Sequence, residues 1–139
     1  MSVNRFIDSN IWLYALFEPS QDEQHKQQQA AALLAEDCPT SISEQVIAEV
    51  CANLLRRKAC DEPELLGYVE SFYRRCRVLT PSPPLHRAAS RLRQAYALSF
   101  WDSLIVAAAQ QADCEILYSE DMQHGLRIGG MTITNPFKS

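Results

Sequence analysis

Glycine is scarce in this 139-residue chain: there are four, at 67, 125, 129 and 130. No glycine-rich loop is left to cradle a phosphate, which argues against a nucleotide-binding fold. Lysine-rich runs and basic tails are also missing, and the net charge is −4. The bulk charge therefore gives no sign of nucleic acid, although a local basic face can act alone. No apolar run is long enough to span a membrane, and no N-terminal stretch resembles a signal peptide. The five cysteines, at 38, 51, 60, 76 and 114, are odd in number and never separated by the two residues of a zinc or redox motif. They are expected to be reduced thiols of a cytoplasmic protein, with Cys51 a small core residue. His25, His86 and His124 have no metal spacing, and no serine or cysteine nucleophile has a matching histidine.

What is present is a regular alternation of short apolar runs with helical patterns. At this length one domain covering residues 1–139 is expected, with enough chain to bury a core. Residues 3–7 read as a buried strand and 9–17 as a helix opened by Ser9 or Asn10. Glu18-Pro19-Ser20 breaks that helix, and residues 22–36 form a second, with Ala30, Ala31, Leu33 and Leu34 on its core side. Thr40-Ser41-Ile42 is a short strand. A helix capped by Ser43, or by Ser41 with Glu44 in a capping box, runs to about Lys58. Asp61 and Pro63 start the next helix. Residues 77–80 and 115–118 read as strands, 100–112 as a helix capped by Ser99, and 131–134 as a last strand. The class is α/β with a mainly parallel sheet.

Ligands of an open parallel sheet gather beyond the carboxyl ends of its strands. Asp8 follows the first strand and Asp121 the fourth, so parallel strands bring both carboxylates to one edge. Asp102 heads an apolar helix stripe with Ile105, Val106 and Ala109, where a carboxylate is unusual unless paired or metal-bound; its bland role is to favour the positive end of its helix. Glu49 lies at the edge of the stripe formed by Val46 and Val50, and read alone it is better explained as an ordinary solvated glutamate. Glu120 competes with Asp121, since neighbours in a turn point different ways. Several acids at one edge repel, and a divalent cation supplies a reason for them. Mg²⁺ takes carboxylate oxygens, keeps waters and binds phosphates, and Mn²⁺ suits the same donors.

Three stretches together resemble the PIN-domain ribonucleases, and within them the VapC-type toxins of toxin–antitoxin pairs. They are Phe6-Ile7-Asp8-Ser9-Asn10-Ile11-Trp12-Leu13-Tyr14, Ile42-Ser43-Glu44-Gln45-Val46-Ile47-Ala48-Glu49-Val50, and Leu98-Ser99-Phe100-Trp101-Asp102-Ser103-Leu104-Ile105 continuing into Leu117-Tyr118-Ser119-Glu120-Asp121-Met122-Gln123-His124-Gly125. Position 9 holds serine where the family most often has threonine, which keeps the hydroxyl. The resemblance implies a PIN-like three-layer sandwich: a mainly parallel five-stranded sheet flanked by helices. It implies an endoribonuclease dependent on Mg²⁺ or Mn²⁺, leaving a 3′-hydroxyl and a 5′-phosphate. The family's acids map onto Asp8, Glu49, Asp102 and Asp121, as metal ligands and catalytic groups. Asn10 would orient Asp8 or a water, and Ser119 matches a supporting hydroxyl.

An acidic pocket that receives RNA needs a basic rim. Arg56, Arg57 and Lys58 are candidates, with Arg87, Arg91 and Arg93, and more weakly Arg127 and Lys138. Each also reads as a solvated surface charge. Trp12 and Tyr14 could stack on bases, but core or interface packing is the expected role. The resemblance further implies a small antitoxin whose arginine enters the acidic groove, and a homodimer, with the Leu13–Phe17 and Leu65–Tyr73 segments as possible surfaces. An RNA-processing nuclease without an antitoxin, or a PIN-like binding module without catalysis, are the alternatives. A haloacid-dehalogenase-like phosphatase would need an aspartate at position 10, and a response-regulator receiver domain an aspartate after the third strand; neither is present.

Overall fold

The structure, a computed structural model, describes residues 3–138. Its short apolar runs become strands β1 (Arg5–Ile7), β2 (Thr40–Ser43), β3 (Arg77–Leu79), β4 (Ile116–Tyr118), β5 (Arg127–Ile128) and β6 (Met131–Thr134). The periodic segments become helices α1 (Ser9–Leu16), α2 (Gln24–Leu34), α3 (Glu44–Arg56), α4 (Glu62–Arg75), α5 (Pro83–Ala95) and α6 (Phe100–Gln111). One sheet runs in the order β3-β2-β1-β4-β6-β5, parallel throughout except for β5, which pairs antiparallel with β6. The sheet therefore has six strands rather than the expected five. The additional strand is two residues long, closed onto β6 by Gly129-Gly130 with Gly129 at φ +60°. Two residues carry no readable alternation, so only the pairing reveals it.

Successive residues of β1 face opposite ways, and both are buried. Phe6 joins a large cluster with Ile42, Val46, Ile105 and Leu117, while Ile7 joins Ile11, Ala30 and Leu33 of α1 and α2. Burial on both faces makes the three-layer sandwich and explains why the strands read as plain apolar runs. Helix α6 is buried from Ser103 to Ala109, so its apolar composition serves all sides of a central helix.

Helix starts follow the capping chemistry. Ser43, not Ser41, caps α3 by accepting from the Val46 amide; Ser82 accepts from Leu85 and Ser99 from Asp102. Asp61 and Glu64 form a reciprocal capping box on α4. The cap of α1 is Asp8 itself, rather than Ser9 or Asn10. Helix α2 is shorter than expected, entered through a 3₁₀ turn at Gln21–Glu23, and buries Ala30 and Leu33 while Ala31 is exposed. Among the cysteines Cys114, rather than the half-buried Cys51, lies in the core. All five are free, and burial pushes the Cys114 thiol up to about 11, which suits inert packing.

Candidate active site

Strand β1 ends one residue before the helix that follows it, and Asp8 fills the gap. Its amide N–H donates to the Tyr118 carbonyl at 3.0 Å, extending the β1–β4 ladder by a step. That step sets Asp8 beside Ser119, just past the end of β4. Asp8 Oδ1 accepts from the Ser9 amide and Oδ2 from the Ser119 hydroxyl, each at 2.8 Å. Only 5% of Asp8 is exposed. Burial raises its carboxyl from an ordinary 3.8 to about 6, against the lowering effect of these hydrogen bonds; the charges of Asp102 and Asp121 raise it further.

The loop after β4 sorts its two acids. Asp121 Oδ2 accepts from Asn10 Nδ2 at 3.0 Å, and the Asp121 amide donates to the Ser119 hydroxyl at 3.3 Å. Glu120 turns the other way, onto the Tyr14 hydroxyl at 2.7 Å and Lys26 Nζ at 2.6 Å. Lys26 also lies over the rings of Tyr14 and Phe137. Asn10 completes the arrangement by accepting the Glu120 amide on its Oδ1 at 3.2 Å. One asparagine thus holds both ends of the turn that separates the two carboxylates.

Glu49 projects from the middle of α3 and Asp102 from the first turn of α6. Burial raises the Glu49 carboxyl, and the charges of Asp8, Asp102 and Asp121 add to it. Burial likewise raises Asp102, with Asp121 adding to it. Glu49 thus lies within range of the charges of the other three acids, Asp8 of Asp102 and Asp121, and Asp102 of Asp121. They arrive from β1, α3, α6 and the loop after β4. Among the described residues, however, no three such side chains are close enough to clasp one ion between them. The donor set suits a hard cation that keeps most of its water, since Mg²⁺ is commonly bound through one or two carboxylates plus substrate phosphate. Each Asp8 oxygen has one lone pair engaged and another free.

Two neighbours of this group were not singled out from the sequence. Gln45, one turn before Glu49, donates to Glu49 Oε1 at 3.4 Å and lies 3.5 Å from the Trp101 carbonyl. The four-residue spacing was a usable signal. Trp101 itself is 62% exposed beside Asp102, and no sequence signal separates an exposed tryptophan from a core one.

The candidate basic residues are scattered. Arg57 lies 4.3 Å over the Phe17 ring and lines a groove of about 180 Å³ with Asn10, Tyr14 and Glu120. Arg56 bonds Asn53, while Lys58, Arg87, Arg91, Arg127 and Lys138 are exposed. Arg93 is committed to the Ser103 hydroxyl at 2.8 Å and to the face of Phe100. Trp12 is a packing residue: its Nε1 donates to the Ile7 carbonyl and its ring meets Phe72 edge-on. Leu13, Leu16 and Phe17 pack against the core, whereas Leu66 and Tyr73 of α4 are exposed.

The fold recurs among solved toxin–antitoxin proteins. A toxin–antitoxin complex from Klebsiella pneumoniae has a chain 21% identical over 97% of this chain and 99% of that one, with a TM-score of 0.70. A VapBC complex of Rickettsia felis, bound to a DNA fragment from its promoter, gives 19% identity over 96% and 98%, with a TM-score of 0.64. A sarcin–ricin-loop-cleaving VapC toxin of Mycobacterium tuberculosis gives 19% over 81% and 86%, with a TM-score of 0.62. No curated protein matches by sequence. No described helix is long and apolar enough to cross a membrane. The model of the PIN domain matches residues 5–125, a span that holds every acid of the site, and the chain belongs to the PIN domain family.

Proposed function

We propose that residues 1–139 form a single PIN domain acting as an endoribonuclease dependent on Mg²⁺ or Mn²⁺, the VapC-type toxin of a toxin–antitoxin pair. One observation supports the reading: the carboxyls of Asp8, Glu49 and Asp102, from three separate elements, are raised by burial and by the charges of their fellow acids, Asp121 among them. Carboxylates that burial, and secondarily repulsion, make costly to charge are explained by a cation and a phosphate that share them. The three toxin–antitoxin neighbours support the toxin reading.

Asp8, Glu49, Asp102 and Asp121 would hold the metal, directly or through its waters. When bound, a divalent ion of this kind lowers the pKa of a water and offsets charge on a phosphoryl oxygen. Ser119 and the Ser9 amide fix the Asp8 carboxylate, so it meets the cation in one orientation. Asn10 holds Asp121 at the solvent edge, where Asp121 or Glu49 takes the proton of the attacking water. Cleavage leaves a 3′-hydroxyl and a 5′-phosphate. Arg57, beside Asn10 and Glu120 in the neighbouring groove, is the basic residue proposed to meet the RNA backbone, while the arginine of an antitoxin would enter among the acids. The cytoplasm is the expected compartment and a homodimer the expected assembly.

Purified protein with labelled single-stranded RNA, in Mg²⁺, Mn²⁺ or chelator, tests the reading. Metal-dependent cutting is expected, falling at least ~100-fold in Asp8→Asn, an effect of the size lost when a charged catalytic group is removed. Equal cutting by the variant would refute the assignment. Recovery of a small bound protein from the native host separates a toxin from a free-standing RNA-processing enzyme.

A further inference from the structure

Next to the acids lies a second surface that the metal chemistry does not use. Phe100 and Trp101 open helix α6, their rings edge-to-face at 5.1 Å, and are 46% and 62% exposed. They wall a groove of about 520 Å³ that also takes in Leu79, Leu85, Glu44 and Thr80. Glu44 Oε1 lies 3.5 Å from the Thr80 hydroxyl. The groove joins the acidic site through Gln45, whose amide reaches both the Glu49 carboxylate and the Trp101 carbonyl. Trp101 immediately precedes Asp102.

No arginine or lysine lines this groove, so it is unsuited to the phosphate backbone. A flat, uncharged base suits it. Single-stranded RNA is read by splayed bases stacked on aromatic rings and bonded along their pairing edge. The carboxylate in the wall is an acceptor only. Guanine presents two adjacent donors along its pairing edge, the ring imino N–H and the exocyclic amino group, and both can be taken by the two oxygens of one carboxylate. Adenine and cytosine set a ring acceptor beside their amino group, and uracil flanks its imino group with carbonyls. Each of these would turn an acceptor toward Glu44.

We propose that the Phe100–Trp101 groove is a nucleobase subsite, in which Trp101 stacks on and Glu44 selects a guanine next to the scissile phosphate. The proposal rests on the ribonuclease reading and names its substrate preference. Trp101 and Glu44 are specificity residues; the acids remain the catalytic group.

The test uses a short uridine oligoribonucleotide carrying one central guanosine, with inosine (which lacks the exocyclic amino group) or adenosine in its place. Wild type, Glu44→Gln, Trp101→Ala and Trp101→Phe are compared by kcat/KM in Mg²⁺ and by quenching of tryptophan fluorescence on titration. The guanosine oligomer should be preferred by about tenfold or more, with inosine falling toward adenosine. Glu44→Gln should erase the preference. Trp101→Ala should raise KM about tenfold, the usual worth of one stacked base, and Trp101→Phe should largely restore it. Equal cleavage of all three oligomers by wild type, or unchanged kinetics in Glu44→Gln and Trp101→Ala, would overturn the subsite. If wild type cuts nothing, the nuclease reading fails separately. Quenching selective for guanosine and lost in Glu44→Gln would still establish the base site, and unselective or absent quenching would overturn it. Light scattering covers the remaining occupant: if Trp101→Ala turns a dimer into a monomer, the groove is an interface between copies and the proposal falls.

Discussion

Asp8 has conflicting tasks. It caps α1, receives a hydroxyl and carries a charge in a place where water barely reaches. Its folded-state carboxyl titrates at about 6 rather than 3.8, so between those values the folded chain keeps a proton that the unfolded chain has lost. Stability of the metal-free protein therefore falls as pH rises through this window, and the penalty is complete above about 6. Glu49 and Asp102 are shifted in the same direction. Asp8→Asn keeps the cap and should stabilise the chelated protein at neutral pH by about 1–3 kcal/mol. Urea titrations at pH 4.5 and 7.5 check this; the variant's gain should be clearly larger at the higher pH. At the next strand tip, Asp121→Asn should lower the proposed cleavage at least ~10-fold with little change in stability. Glu120→Gln should do the reverse, weakening the Lys26 and Tyr14 contacts by about 1 kcal/mol while leaving most of the activity. Equal activity losses in the two variants would mean the loop acts as one unit.

At the scale of elements, two helices end without the glycine that their geometry favours. After α3, the Ala59 amide reaches the Leu54 carbonyl and Lys58 the Leu55 carbonyl, with Lys58 at φ 52°. After α6, Cys114 reaches Ala109 and Asp113 reaches Gln110, with Asp113 at φ 56°. Both are Schellman endings with a left-handed residue that is not glycine. Asp113→Gly removes the Cβ strain at an exposed position, and a gain of about 0.5–1 kcal/mol is expected in thermal unfolding. A loss would mean that the Asp113 side chain stabilises the turn by more than its strain costs. These endings explain why the terminus of α3 was hard to place: its residues 56–58 are all basic, and none marks a stop.

For the whole molecule, charging the buried acidic edge costs stability. Repulsion among the four carboxylates is inherent in the fold and can be relieved from outside by a cation. Mg²⁺ at ten times its Kd should raise stability by about 1.4 kcal/mol, through linkage to the folded state alone. That corresponds to a Tm increase of roughly 4–6 °C for a domain of this size. The increase should fade as pH drops through about 6, where Asp8 takes up its proton, and should be absent in Asp8→Asn. Differential scanning calorimetry at pH 5 and 7.5, with Mg²⁺ and with chelator, measures both effects. An equal increase in the variant would move the ion elsewhere on the surface.

The sequence by itself determined the class of fold, the starts of α4 and α6 and the positions of the acids along the chain. These depend on local signals: apolar runs bounded by breakers, capping serines, and a carboxylate placed after a strand. It left the choice between Glu120 and Asp121 open, because adjacent turn residues differ only in direction. Tertiary structure turns the two apart, Asp121 onto Asn10 and Glu120 onto Tyr14 and Lys26. Structure also decided the two-residue β5, which exists only as a partner of β6, and the exposure of Trp101. A glutamate inside α3 and an aspartate at the head of α6 are ordinary residues when read along the chain. They come within range of each other's charge only when the parallel sheet and its helices bring them together.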